Sequence, residues 1–145
     1  MNKKFILILI IITCLFSCSI FGLYKRKSVV KNKYYLLQVG AYKNYDSISK
    51  KTKEYENYLV LKEEDLYKLY IGVTKDKEVY KKLVNLYANT SSIYKKEITL
   101  SNQKFDDTLT KYDSLIKNSE DIKEINLVIK SELKFLEEML AKKSN

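Results

Sequence analysis

Two short apolar segments carry the side chains best suited to chemistry in this chain. Tyr34 to Tyr42 (YYLLQVGAY) and Leu66 to Thr74 (LYKLYIGVT) both have the two-residue period of a half-buried strand. On the first, that period sends Leu37 and Val39, with Tyr35 and Ala41, toward a core, and Leu36, Gln38 and Gly40 to the opposite face. On the second, Leu69, Ile71 and Val73 go inward, while Lys68, Tyr70 and Gly72 go outward. Gln38, Lys68 and Tyr70, with Tyr42 at the strand end, then share one surface. Tyrosine offers a flat apolar ring and a hydroxyl, glutamine donates and accepts, and lysine pairs with a carboxylate. The set suits a sugar chain bearing carboxylates, such as muramic acid stripped of its peptide. An ordinary polar sheet face in a chain with 13 tyrosines fits the same pattern.

Little else supports catalysis. The chain has no histidine, so the commonest general base and metal ligand is missing. It has three glycines and no phosphate-cradling loop or nucleophile elbow. Glu54, Glu56, Asp106, Asp107, Glu132, Glu137 and Glu138 are expected on solvated helix surfaces. Glu63-Glu64-Asp65 reads as a polar turn in preference to a cation site. A protein that is not an enzyme, with no cofactor and no metal site, is therefore expected.

A ferredoxin-like frame positions the candidate surface. Asp46 to Tyr58 reads as a helix capped by Asp46 or Ser47, with Ile48, Tyr55 and Leu59 at helical spacing. Leu59 to Lys62 reads as a strand, Asp76 caps a second helix carrying Val79, Leu83, Leu86 and Tyr87, and Ile93 to Leu100 reads as a fourth strand. The order βαββαβ over residues 34–100 predicts an α+β fold: a four-stranded antiparallel sheet with two helices on one face and the other face open. Beyond it, residues 101–145 form a predicted helical hairpin. Phe105, Leu109, Tyr112 and Ile116 mark one amphipathic helix; Ile122, Ile125, Ile129, Leu133, Leu136 and Leu140 mark the next. That seam fits packing on the chain's own domain, self-association or recruitment of a protein partner.

Residues 1–27 read as a membrane anchor with a basic flank, and residues 28–33 as a linker. Phe5 to Tyr24 is a run of 20 residues without a charge, and roughly 20 apolar residues span a hydrocarbon core. Leu15-Phe16-Ser17-Cys18 also allows a lipoprotein acylated at Cys18. Residues 25–33 carry five bases and no acid, whereas residues 101–145 carry eight bases and nine acids. Basic charge thus flanks the apolar segment, where anionic headgroups attract it, and no dense basic stripe points to nucleic acid. Charge on both sides of the span leaves its orientation open.

Tyr35-Leu36-Leu37-Gln38-Val39-Gly40-Ala41-Tyr42 resembles the opening strand of SPOR domains, and Tyr67-Lys68-Leu69-Tyr70-Ile71-Gly72 resembles the second signature of that family. Val73 stands where the family usually has proline, and Lys68 where it has arginine. The resemblance covers residues 34–100. It implies a peptidoglycan-binding module that grips glycan strands lacking stem peptides through the open sheet face, with Gln38, Tyr42, Lys68 and Tyr70 as glycan contacts. It also implies a single-pass protein of the cell membrane with its domain on the extracytoplasmic side, acting at a division or sporulation septum. The alternative is a membrane-anchored structural adaptor whose C-terminal helices recruit a partner.

Overall fold

The computed structural model describes residues 31–143; the expected anchor, residues 5–24, and Cys18 lie outside them. Among the described residues no helix is long and apolar enough to cross a membrane. The elements run β1 (Asn32–Tyr42), α1 (Tyr45–Thr52), β2 (Leu59–Glu63), β3 (Leu66–Thr74), α2 (Lys77–Tyr87), β4 (Tyr94–Leu100), α3 (Gln103–Asn118) and α4 (Ile122–Lys143). The four strands form one antiparallel sheet in the order β2-β3-β1-β4. The expected α+β frame is present, with a four-stranded antiparallel sheet compatible with a ferredoxin-like fold.

Local chemistry sets the element ends. The Asp76 carboxylate accepts from the backbone N–H of Glu78 and Val79, which closes the start of α2. Asp76→Ala is expected to cost about 1 kcal/mol, the usual effect of losing a cap, measured by urea unfolding. Asn44, rather than Asp46 or Ser47, caps α1 by accepting from Ser47 N–H at 3.0 Å. That helix ends at Thr52, six residues short of expectation. Tyr55 still reaches the core, from the turn beyond the helix, where its ring meets the edge of Tyr87. The β2–β3 hairpin turns at Glu64, whose φ of 55° is left-handed.

Strict alternation fails at two places in the central pair of strands. Leu36 lies opposite Val73, Gln38 opposite Tyr70 and Gly40 opposite Leu69. One step of two residues on β1 thus matches three on β3, and the next matches one. Each irregularity reverses which face the following residues meet. Gly72, expected on the outward face, instead points between Leu37 and Leu83 of α2. Leu37, Val39, Leu69 and Ile71 are buried as expected.

The face opposite α1 and α2 is not open along its length. Tyr34, paired with Ile98, meets the edge of Phe105 of α3 at 5.0 Å, and Phe105 stacks on Phe135 of α4 at 5.5 Å. α4 packs on β3 and β2, where Leu133 and Leu59 line one groove. The tail helices are therefore a second helical layer on the sheet, and the core includes Phe105, Leu109, Ile116, Ile129 and Leu136. Their seam differs from expectation at one end: Ile122 is 57% exposed, while Val128 joins the buried set. Two carboxylates expected in solvent are buried. Asp106 accepts from the Tyr34 hydroxyl at 3.0 Å and from Lys75 at 2.7 Å. Glu132 has no exposed area at all.

Candidate functional site

Register decides which expected residues come together. Gln38 and Tyr70 are directly opposed on β1 and β3, so they share a face, and Lys68 follows two residues along the same strand. This is the face turned away from α1 and α2. Tyr42 is not part of the group. It is opposed to Tyr67, its ring lies over Gly40, and Lys51 of α1 acts on its hydroxyl. The irregularity between Gln38 and Gly40 turned the strand end over. Burial raises the Tyr42 phenol, and the Lys51 charge partly offsets that.

Tyr70 also departs from expectation. It exposes no surface; its hydroxyl donates to Glu63 Oε1 at 2.8 Å. Burial, then this hydrogen bond, holds its pKa well above the ordinary phenol value. Tyr70→Phe is expected to cost about 1.5 kcal/mol, the low end for a hydrogen bond to a charged group, with the loss read from the urea midpoint.

Glu63 is the hub of the cluster. Lys68 Nζ donates to its Oε2 at 2.5 Å, and Lys96 Nζ lies 3.5 Å from the same oxygen. Burial works against the Glu63 anion, but the bonds from Lys68 and Tyr70 and the Lys96 charge outweigh it and hold the carboxyl below its usual range. Lys96 belongs to the same face because it is opposed to Leu36, and Tyr94 because it is opposed to Gln38. Tyr94 is 62% exposed, and Ala41 and Leu61, opposed to Lys68 from either side, border the group. The uncovered corner of the sheet thus holds Gln38, Lys68, Lys96 and Tyr94, two cations sharing one carboxylate beside an exposed ring. Lys96 and Tyr94 were missed in the sequence because β4 was read only as a strand, without its register.

No family model matches this chain. Neither does a curated protein or a solved structure.

A cleft of about 450 Å³ at the foot of the sheet is lined by Lys33, Lys75, Asp76, Asp106, Asp113 and Lys117. Its charges are largely engaged with one another: Lys75 holds Asp106, Asp113 accepts from Thr74 and from Lys75 N–H, and Lys117 pairs with Glu78. It clamps α3 against the end of β3 and the start of α2.

Proposed function

We propose that this protein is a non-catalytic binder of peptidoglycan glycan strands lacking stem peptides, held at the membrane by residues 5–24, with its domain on the extracytoplasmic side. The single observation that carries the reading is the corner formed by Gln38, Lys68, Lys96 and Tyr94. The exposed Tyr94 ring is a platform for the C–H face of a sugar, Gln38 bonds hydroxyls in either sense, and the two lysines meet a lactyl carboxylate. One carboxylate, Glu63, serves both lysines, so the corner keeps a net positive charge. The SPOR-like signatures on β1 and β3 support the same surface. Recruitment to a division or sporulation septum is what the resemblance to SPOR domains implies for such a binder.

Titration of the full chain, in mild detergent, with soluble denuded glycan at low and high salt tests this reading. Affinity is expected to fall as salt rises, since exposed charges are screened beyond about 8 Å at physiological ionic strength. Glu63→Gln is expected to tighten binding by up to about fivefold. A partly exposed ion pair is worth about 0–1 kcal/mol, and its removal frees two cations for the ligand. Binding that ignores both salt and Glu63→Gln would point away from this corner.

The adaptor reading keeps one supporting observation. Leu115, Ile122 and Leu127 of the tail helices are exposed apolar side chains.

A further inference from the structure

Glu132 is the one described residue whose buried side-chain oxygens have no hydrogen-bond partner, and both oxygens are affected. It sits on α4, the helix that lies over β3 and β2, and it is wholly buried. A carboxylate in that position, with no cation and no donor, is among the most costly arrangements in a protein interior. A neutral carboxyl is tolerable there. The groups facing it make matters worse for the anion. Asp113 of α3 is a second buried acid that acts on it, and Tyr87 of α2 is an uncharged phenol within its field. Glu56, in the turn before β2, is held by the side-chain amide of Asn126 on α4 and adds negative charge on that side. From β2 and β3, the ionisable groups Glu63, Lys68 and Tyr70 are committed to one another. Among the described residues, Asp113 is the one charged group that bears on the state of Glu132.

We propose that α4 is a removable cover on the sheet, docked while Glu132 carries its proton and released as that carboxyl ionises. Under the glycan reading above, on which this consequence rests, release would uncover Leu59 and the Tyr70 ring and extend the binding surface from the corner across the face. Docked α4 is then the closed, weaker-binding form.

The direction with pH follows from where the proton sits. Burial, and secondarily Asp113, holds the Glu132 pKa well above its ordinary value. Asp113 is itself pushed up to about 6, by burial first, against its bonds from Thr74 and Lys75 N–H. Asp113 lies on α3 and keeps its bonds from Thr74 and Lys75 N–H when α4 leaves, so on undocking it is Glu132 that returns toward ordinary carboxyl values. Below those values both forms carry the proton and pH has no effect. Above them, undocking releases a proton, so the opening constant of α4 rises about tenfold per pH unit until the docked carboxyl ionises.

The test is amide hydrogen exchange, read by mass spectrometry on the full chain in mild detergent between pH 5.5 and 7.5, corrected for intrinsic exchange. Peptides within 122–143 are expected to open at least tenfold more often at pH 7.5, while 66–74 in the central strand stays protected. Glu132→Met, of similar volume and uncharged, should abolish that dependence. Glu132→Gln should abolish it too, which guards against a packing defect in the first variant. An unchanged opening constant in the natural chain, or the same pH slope in both variants, overturns the proposal. Glycan titration on the same samples separates the two ideas. Exchange that responds without any glycan binding leaves the cover standing and removes the glycan reading. Glycan binding with an unresponsive α4 does the reverse.

Discussion

Phe105→Ala is expected to lower the unfolding free energy of the chain by about 3–5 kcal/mol, the usual cost of removing a large aromatic side chain from a core. Phe105 is fully buried and joins three elements: its own helix α3, Tyr34 of β1, and Phe135 of α4. Its loss leaves a cavity that neither the sheet nor the tail can fill alone. At pH 5.5, the end of the range at which α4 is proposed to be docked, the loss should appear in a single urea transition seen alike by far-ultraviolet circular dichroism and tyrosine fluorescence. A tail that is merely appended would behave differently. The helices would melt first, and the sheet would keep the midpoint of the natural chain. That outcome would separate the tail from the domain and return the second face of the sheet to solvent.

The second large effect concerns the corner. Lys68→Ala, Lys96→Ala and Tyr94→Ala are each expected to weaken binding to denuded glycan by about 1–3 kcal/mol, roughly 5- to 150-fold. The Tyr94 effect should survive high salt, because it is a ring contact. The two lysine effects should shrink, Lys96 more than Lys68, because its side chain is the more exposed of the two. None of the three should change the fold much. Tyr94 is largely exposed, and the pairs that Lys68 and Lys96 make with Glu63 are partly solvated. Gln38→Ala belongs to the same series. Tyr42→Ala does not: Tyr42 faces α1, so its loss should affect stability and leave glycan affinity unchanged. Retained binding in all three corner variants, each still folded by circular dichroism, would remove this surface and favour the adaptor reading.

Periodicity made much of the frame legible. β3 runs over the same residues as the alternation of Leu66 to Thr74, and α2 begins behind the Asp76 cap. The shared face of Gln38, Lys68 and Tyr70 was legible too, although for an incomplete reason. The β-irregularity between Leu36 and Gln38 brings Gln38 opposite Tyr70 and leaves Gly72 on the other face, and the one between Gln38 and Gly40 turns Tyr42 away from the group. A register shift depends on the partner strand, and period-2 reasoning treats each strand alone. The apolar seam of α4 was also legible, but not what it packs on. Ile125, Ile129, Leu133 and Leu136 would look the same against a sheet, a second copy or another protein. Glu132 shows the limit most sharply. By type it belongs to the solvated face of a helix, and only the placement of α4 on the sheet reveals it as a buried acid.

Co-sedimentation with purified cell walls tests the central claim most directly. Full chain in mild detergent is mixed with walls whose stem peptides have been removed by an amidase, and with untreated walls. The expected result is sedimentation with the amidase-treated walls, little with the untreated ones, and loss of the difference in Lys68→Ala and Tyr94→Ala. Equal sedimentation with both kinds of wall, or with neither, would contradict binding to denuded glycan.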